Sequence, residues 1–210
     1  MFEQRVSYEK GELDERSVSP DPFAQFTAWY EQARAHPDIV EPGAMSLATA
    51  TPEGVPSLRI VLLRGVDERG FAFFTNYESR KGRELNANPF AALLLFWDRL
   101  ERQIRIEGGI ERLDAAESDA YFAQRPRGHR LNAWASAQSS VVPDRAFVEA
   151  RVAAQARRFE DGDVPRPPFW GGYRVVPSAF EFWQGRRDRS HDRVAYVRDG
   201  GDWRTLRLSP

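Results

Sequence analysis

Residues 44–76 read AMSLATATPEGVPSLRIVLLRGVDERGFAFFTN, and the fold turns on this stretch. Ala44–Ala50 alternates in the period of a half-buried strand. Thr51-Pro52-Glu53-Gly54 is turn chemistry, and Leu58–Leu63 is apolar and β-branched, so the two runs predict a hairpin. Asp67-Glu68-Arg69-Gly70 makes the next turn, into a strand at Phe71–Thr75. Three short strands with no helix between them argue against a doubly wound parallel sheet.

Upstream, Phe23, Phe26, Trp29 and Tyr30 recur at helical spacing and predict a helix to about Ala35. The first twenty residues are polar and read as a flexible arm ending at Ser19-Pro20-Asp21-Pro22. Downstream, Ser79 is a candidate cap for a short helix through Leu85, stopped by Asn88-Pro89. Strands are expected at Ala91–Trp97 and Glu101–Arg112. Helices are expected at Ala115–Gln124, Leu131–Ser136 and Asp144–Phe159. Four more strands follow, at Tyr173–Val176, Ala179–Trp183, Arg193–Val197 and Trp203–Leu208. The expected class is mainly β with packed helices, a closed or split antiparallel barrel forming one domain over residues 21–210.

The chain has 210 residues, 30 basic and 31 acidic, with a formal net charge of −1. That balance argues against nucleic-acid binding through bulk positive charge. Cysteine is absent, which excludes disulfides, zinc–thiolate sites and a cysteine nucleophile. The N-terminus has no apolar signal region, and no window approaches a membrane span, so a cytoplasmic location is expected by default. Only Lys10 and Lys81 are lysines; the other 28 basic residues are arginines. A neutral chain with that habit must place positive charge locally.

Neither the dinucleotide-binding glycine fingerprint nor a P-loop is present. His36, His129 and His191 are far apart, and no metal site is expected. Anion binding must then come from side-chain clamps, for which arginine is suited. Four clusters stand out. Arg59 and Arg64 are five apart, so on one strand they point to opposite faces. Thr75 to Gly82 ends a strand and starts a helix with Ser79-Arg80-Lys81, a candidate phosphate clamp that also reads as a capped, solvated helix start. Tyr121 and Arg125 lie four apart at a helix end, beside Arg127, His129 and Arg130. Trp183 precedes Arg189, His191 and Arg193, which alternate and on a strand would share one face. Together these suggest two anionic groups and a flat aromatic surface.

At these residues the sequence resembles the pyridoxamine/pyridoxine 5′-phosphate oxidase family. The matches run in order along nearly the whole chain. They include Arg5-Val6-Ser7-Tyr8, Arg59–Leu63, Phe74-Thr75-Asn76, Ser79-Arg80-Lys81 and Leu100-Glu101-Arg102-Gln103. They continue through Arg125-Pro126-Arg127, Ala133-Trp134-Ala135-Ser136, Gln138-Ser139-Ser140 and Phe169-Trp170-Gly171-Gly172. They close with Glu181–Gly185, His191-Asp192-Arg193 and Arg207–Pro210.

The resemblance implies an FMN-binding split β-barrel, Greek-key-like, with the FMN at a homodimer interface. Arg59, Arg80, Lys81 and Ser139 would hold the FMN phosphate and ribityl chain. Thr75, Gln103 and Gln138 would hydrogen-bond the flavin, with Ile60, Leu62 and Phe74 beside it. Trp183 and Arg193 would reach in from the partner subunit. Tyr121 and Arg125 would grip the substrate phosphate, with Arg64 where the family usually has lysine. Arg189 and His191 would act as the catalytic pair, positioning the pyridine ring, and Arg5 and Tyr8 would belong to a mobile arm covering the site. The implied reaction converts the C4′ amine or alcohol of a B6 5′-phosphate to the aldehyde with dioxygen, releasing hydrogen peroxide. His129, Arg130 and Asn132 depart from the family's usual serine, glutamine and glycine; His129 can replace the serine as a phosphate donor. That departure leaves room for a related oxidase of the phenazine-biosynthesis type. A flavin- or B6-phosphate-binding protein without turnover is a third reading, weakened by the presence of both Arg189 and His191.

Overall fold

The computed structural model describes residues 7–210. Its elements, in chain order, are α1 (Pro22–Ala35), β1 (Ala44–Ala50), β2 (Pro56–Leu62), β3 (Gly65–Asp67), β4 (Gly70–Asn76), α2 (Arg80–Ala87), β5 (Phe90–Trp97) and β6 (Arg102–Arg112). The chain continues through α3 (Ala115–Ala123), α4 (Arg127–Ala135), α5 (Arg145–Arg158), β7 (Trp170–Gln184), β8 (Asp192–Asp199) and β9 (Asp202–Leu208). Every strand pairing is antiparallel. The main path runs β2-β1-β5-β6-β7-β4-β3, and β8 and β9 continue from β7 on a separate branch. Among the described residues the sheet curls into a split half-barrel, with α2 against β1, α3 against β7, and α5 packed on α4.

The opening hairpin forms as expected, with Leu47 opposite Arg59 and Ala48 opposite Leu58. The second turn is tighter than the sequence suggests. Asp67 Oδ1 accepts from the backbone N–H of Arg69 (3.0 Å) and Gly70 (3.2 Å), which folds the short strand β3 back onto β4. In α1, Asp21 caps the first turn and Pro22 starts it, while Phe26, Trp29 and Ala33 turn inward. They meet Leu47, Phe71, Phe73, Ile104, Phe180 and Phe182 in one aromatic-rich core.

One correction concerns β7. The sequence reads as two strands broken at Pro177-Ser178, but the structure has a single 15-residue strand. Its first half pairs with β4 up to Val175, and its second half pairs with β8 from Ala179. Pro177 therefore sits where the strand changes neighbours, and its missing N–H costs no ladder bond on that edge. Along the other edge β6 pairs continuously from Tyr173 to Gln184 across the change of neighbour, and a bulge leaves Ser178 without an opposite residue. The β7 bulge is thus where the barrel splits.

The helix expected at Leu131–Ser136 starts earlier, at Arg127, because Pro126 is already set for a helix start. Asp144 caps α5 through the N–H of Phe147 (2.7 Å). No residue of α5 is fully buried. No helix among the described residues is long and apolar enough to cross a membrane.

Candidate functional site

A cavity of about 710 Å³ opens where β2, the end of β4, and helices α2, α3 and α4 converge. That volume lies within the range of cofactor and substrate sites, roughly 300–1,000 Å³. One wall carries Arg59, Ile60, Leu62 and Arg64. The sequence expectation that Arg59 and Arg64 face apart is corrected here. β2 ends at Leu62, so alternation stops before Arg64, and both arginines line the same cavity.

The first cationic group gathers around Glu84. Arg59 donates from Nη1 to the carbonyl of Leu47 (3.0 Å) and to Thr49 Oγ1 (2.6 Å), and its Nη2 pairs with Glu84 at 3.3 Å. Arg80 reaches the other Glu84 oxygen at 2.8 Å across one helical turn. Burial pushes the Glu84 carboxyl up, but hydrogen bonds from Ser57, Thr49 and Arg80, with the charge of Arg59, prevail and hold it at about 2. Glu84 is 6% exposed and tethers two arginines from two elements. Sequence reading missed it, although its place four residues after Arg80 was the available signal.

Ser79 caps α2, accepting from the N–H of Gly82, and this aims Lys81 into the cavity. The Lys81 ammonium donates to Thr75 Oγ1 (3.2 Å), Ser79 Oγ (3.4 Å) and Gln138 Oε1 (3.2 Å), all neutral. Burial, and then the charge of Arg59, lower its pKa to about 8. Ser139, with φ of 73°, accepts from the backbone N–H of Arg80 at 3.2 Å. The structure thus brings Thr75, Arg80, Lys81, Gln138 and Ser139 together from three separate segments.

The second cationic group rests on an aromatic shelf. Phe74 and Tyr121 stack with centroids 3.8 Å apart, and Trp170 continues the stack. Arg125 lies over Trp170, its guanidinium carbon 4.6 Å from the ring centre. Its Nη1 is buried without a hydrogen-bond partner, a cost that a bound anion would remove. Burial lowers the Arg125 pKa. Arg64 and His129 line the cavity beside it. The other departures separate: Asn132 also lines the cavity, whereas Arg130 pairs with Asp163 at 2.5 Å. Arg127 donates to the carbonyl of Gly162 at 2.8 Å and also to that of Phe159, tying α4 to the segment after α5.

Gln103, Trp183, Arg189, His191, Arg193 and Tyr8 do not line this cavity. They gather in a separate patch. Gln103 on β6, Trp183 on β7 and Arg193 on β8 stand directly opposite one another across the three strands. His191 lies 4.6 Å from Trp183 between ring centres, and Tyr8 lies within 5.8 Å of both. Arg189, His191 and Arg193 do not alternate on one strand, as the sequence suggested. β8 starts at Asp192, and Arg189 sits in a short 3-10 turn with φ of 60°. His191 Nδ1 accepts from the N–H of Arg186 (3.1 Å), and burial followed by the charge of Arg189 lowers its pKa. Arg193 is gripped by both oxygens of Glu181 and by the carbonyl of Ser209. Arg5 lies outside the described residues.

Between cavity and patch runs an apolar sheet face. Leu58 and Ile60 on β2 and Phe90 and Phe96 on β5 are 52–68% exposed, and Phe96 stands opposite Gln103.

Two family models match the chain: "Pyridoxamine 5′-phosphate oxidase" over residues 31–156 and "Pyridoxine 5′-phosphate oxidase C-terminal dimerisation region" over residues 170–210. A pyridoxine/pyridoxamine 5′-phosphate oxidase of Burkholderia ambifaria is 58% identical over 209 residues, covering 98% of this chain and 97% of the relative. The crystal structure of PhzG from Burkholderia lata, in complex with tetrahydrophenazine-1-carboxylic acid, superposes with a TM-score of 0.90 at 35% identity, covering 98% of this chain and all of that one. An FMN-binding, pyridoxamine 5′-phosphate oxidase-related protein from Nostoc punctiforme shares the fold at a TM-score of 0.70 and 18% identity, covering 92% of this chain and all of that one.

Proposed function

The chain belongs to the pyridoxamine 5′-phosphate oxidase family, and from that premise we propose that it oxidises pyridoxamine or pyridoxine 5′-phosphate to pyridoxal 5′-phosphate, using FMN and dioxygen and releasing hydrogen peroxide. The observation that carries this reading is one cavity with two cationic groups. A flavin phosphate and a B6 phosphate ester together need two anion clamps beside a flat apolar surface. The cluster of Lys81, Thr75 and Gln138, backed by Arg59 and Arg80, suits the flavin phosphate and ribityl hydroxyls. Lys81 has only neutral oxygens as partners, so its charge is open to a phosphate. The unpartnered Arg125 Nη1, with Arg64, His129 and Tyr121, suits the substrate phosphate.

When bound, FMN supplies the hydride acceptor and the route to dioxygen. The chain's own residues bind and orient. Arg125 and Arg64 fix the phosphate end of the substrate. Arg189 and His191 hold the pyridine ring, burial and then the charge of Arg189 lowering the His191 pKa. Because these two lie in the separate patch, the reading requires two chains. We place the exposed Leu58–Ile60–Phe90–Phe96 face at a homodimer contact that sets the Trp183–Arg193 patch of one protomer over the cavity of its partner. The dimerisation-region match over residues 170–210, which include Trp183, Arg189, His191 and Arg193 of the patch, supports this arrangement.

The likeness to PhzG favours a second reading, an oxidase acting on a phenazine-type substrate. The purified protein is incubated in air with pyridoxine 5′-phosphate and, in parallel, with tetrahydrophenazine-1-carboxylic acid. Aldehyde with matching peroxide from the first supports the B6 reading. Oxidation of the second alone replaces it. A protein that takes up no FMN overturns both.

A further inference from the structure

Glu101 bears two costs at one position. Its side chain is 5% exposed, and burying a carboxylate is expensive unless hydrogen bonds replace water. Its backbone has φ of 55° and ψ of 40°, the left-handed region that a residue with a Cβ adopts at a penalty. Both are spent on one junction. Glu101 Oε2 accepts from the backbone N–H of Glu9 (2.7 Å) and of Lys10 (2.9 Å). The Glu101 carbonyl accepts from the N–H of Gly185 (2.8 Å) and from Gln184 Nε2 (3.2 Å). One residue therefore ties the N-terminal arm to the end of β7.

Tyr8 is the side chain this junction places. It is the residue immediately before the two bound N–H groups. Its ring meets Trp183 edge-on at 5.7 Å and lies 5.8 Å from His191. Gly185 permits the approach, since a Cβ there would come within 2.7 Å of the Tyr8 ring. Lys10 adds a second hold, its Nζ donating to the carbonyl of Arg99 at 2.7 Å. Charge-assisted bonds from a fixed carboxylate to two successive backbone N–H groups set the direction of the chain as well as its position.

We propose that Glu101 is the positioning residue that latches the N-terminal arm and thereby sets Tyr8 against Trp183 and His191 for substrate binding. The inference rests on the reading of Tyr8 as part of the cover over the B6 phosphate. Glu101 does not line the cavity and acts through Tyr8.

The test combines trypsin digestion of the full-length protein with steady-state kinetics on pyridoxine 5′-phosphate. Glu101→Gly deletes the carboxylate and keeps the left-handed backbone accessible. Cleavage after Lys10 is expected to accelerate about tenfold or more, with KM raised about tenfold and kcat and FMN affinity changed less than about twofold. Glu101→Gln retains one acceptor oxygen and is expected to restore most of both. Gly185→Ala displaces Tyr8 from the other side without touching the carboxylate, and is expected to raise KM similarly. Unchanged cleavage in Glu101→Gly overturns the latch, and faster cleavage with unchanged KM overturns the positioning role. If the wild-type protein oxidises no B6 phosphate, the functional reading fails separately, because the cleavage rates still report whether Glu101 holds the arm.

Discussion

Lys81 is one of two lysines in an arginine-rich chain, and its surroundings give that choice a physical consequence. An arginine would stay charged throughout the accessible pH range. Lys81, held at about 8 rather than 10.5, does not. If its charge meets the FMN phosphate, FMN affinity is full below about pH 8 and falls by up to ~10-fold per pH unit above it. Fluorescence titration of FMN across that range measures this, and Lys81→Met is expected to flatten the dependence. For the FMN-free protein the sign is opposite. The unfolded chain binds the extra proton between about 8 and 10.5, so stability rises through that window and Lys81 destabilises the fold below it. Lys81→Met should then raise stability at neutral pH by on the order of 1–2 kcal/mol, solvent screening keeping the gain small. A second contrast tests the assignment of roles. Lys81→Ala is expected to weaken FMN by about 10- to 100-fold, whereas Arg189→Ala lowers turnover on that order and leaves FMN affinity nearly unchanged. The reverse pattern in binding and kinetic assays would refute the split between cofactor and substrate residues.

Strand β7 shows how far local sequence determines an element. Its two halves were legible from the alternation around Tyr173–Val176 and Ala179–Trp183. Their continuity was not, because Pro177 marks a break in isolation and is tolerated only where a partner strand departs. The matching feature on β6 is Gly108, where an added Cβ would fall 2.0 Å from the carbonyl oxygen of Val176. Gly108→Ala must therefore open the bulge, and a loss of about 2–4 kcal/mol is expected in chemical denaturation. A loss under about 0.5 kcal/mol would show that the β6–β7 seam is not tightly set there. Helix α2 was the more readable element. Ser79 forms the cap that its sequence position suggests, and the cap decides where Arg80 and Lys81 point.

At the scale of the whole molecule, the proposed site is divided. One half is the cavity under α2, α3 and α4; the other is the row from Gln103 through Trp183 to Arg193. Two copies placing one half against the other give two complete sites per dimer. Lys81→Ala and Arg189→Ala carry lesions in different halves, so mixing them is informative. Random reassociation makes half the dimers mixed, with one intact site each, and about a quarter of wild-type activity is expected to return. No recovery, in a mixture shown by mass to have exchanged subunits, would place both residues in the same half.

The sequence by itself determined the antiparallel class, most element positions and the family resemblance. It did so because alternation, turn residues and caps are local signals, and because many short motifs recur in order. It also named Arg59, Thr75, Lys81, Tyr121, Arg125 and Gln138, which the fold gathers at one cavity. Only the tertiary structure decided that Arg59 and Arg64 share a wall, since that depends on where β2 ends. It alone identified Glu84 as the tether of two arginines and Glu101 as the anchor of the arm. Both are buried carboxylates that draw partners from distant segments, Glu84 from Thr49, Ser57 and Arg59 as well as from nearby Arg80, and Glu101 from Glu9 and Lys10, and charge of that kind acquires meaning only when folding removes the water around it.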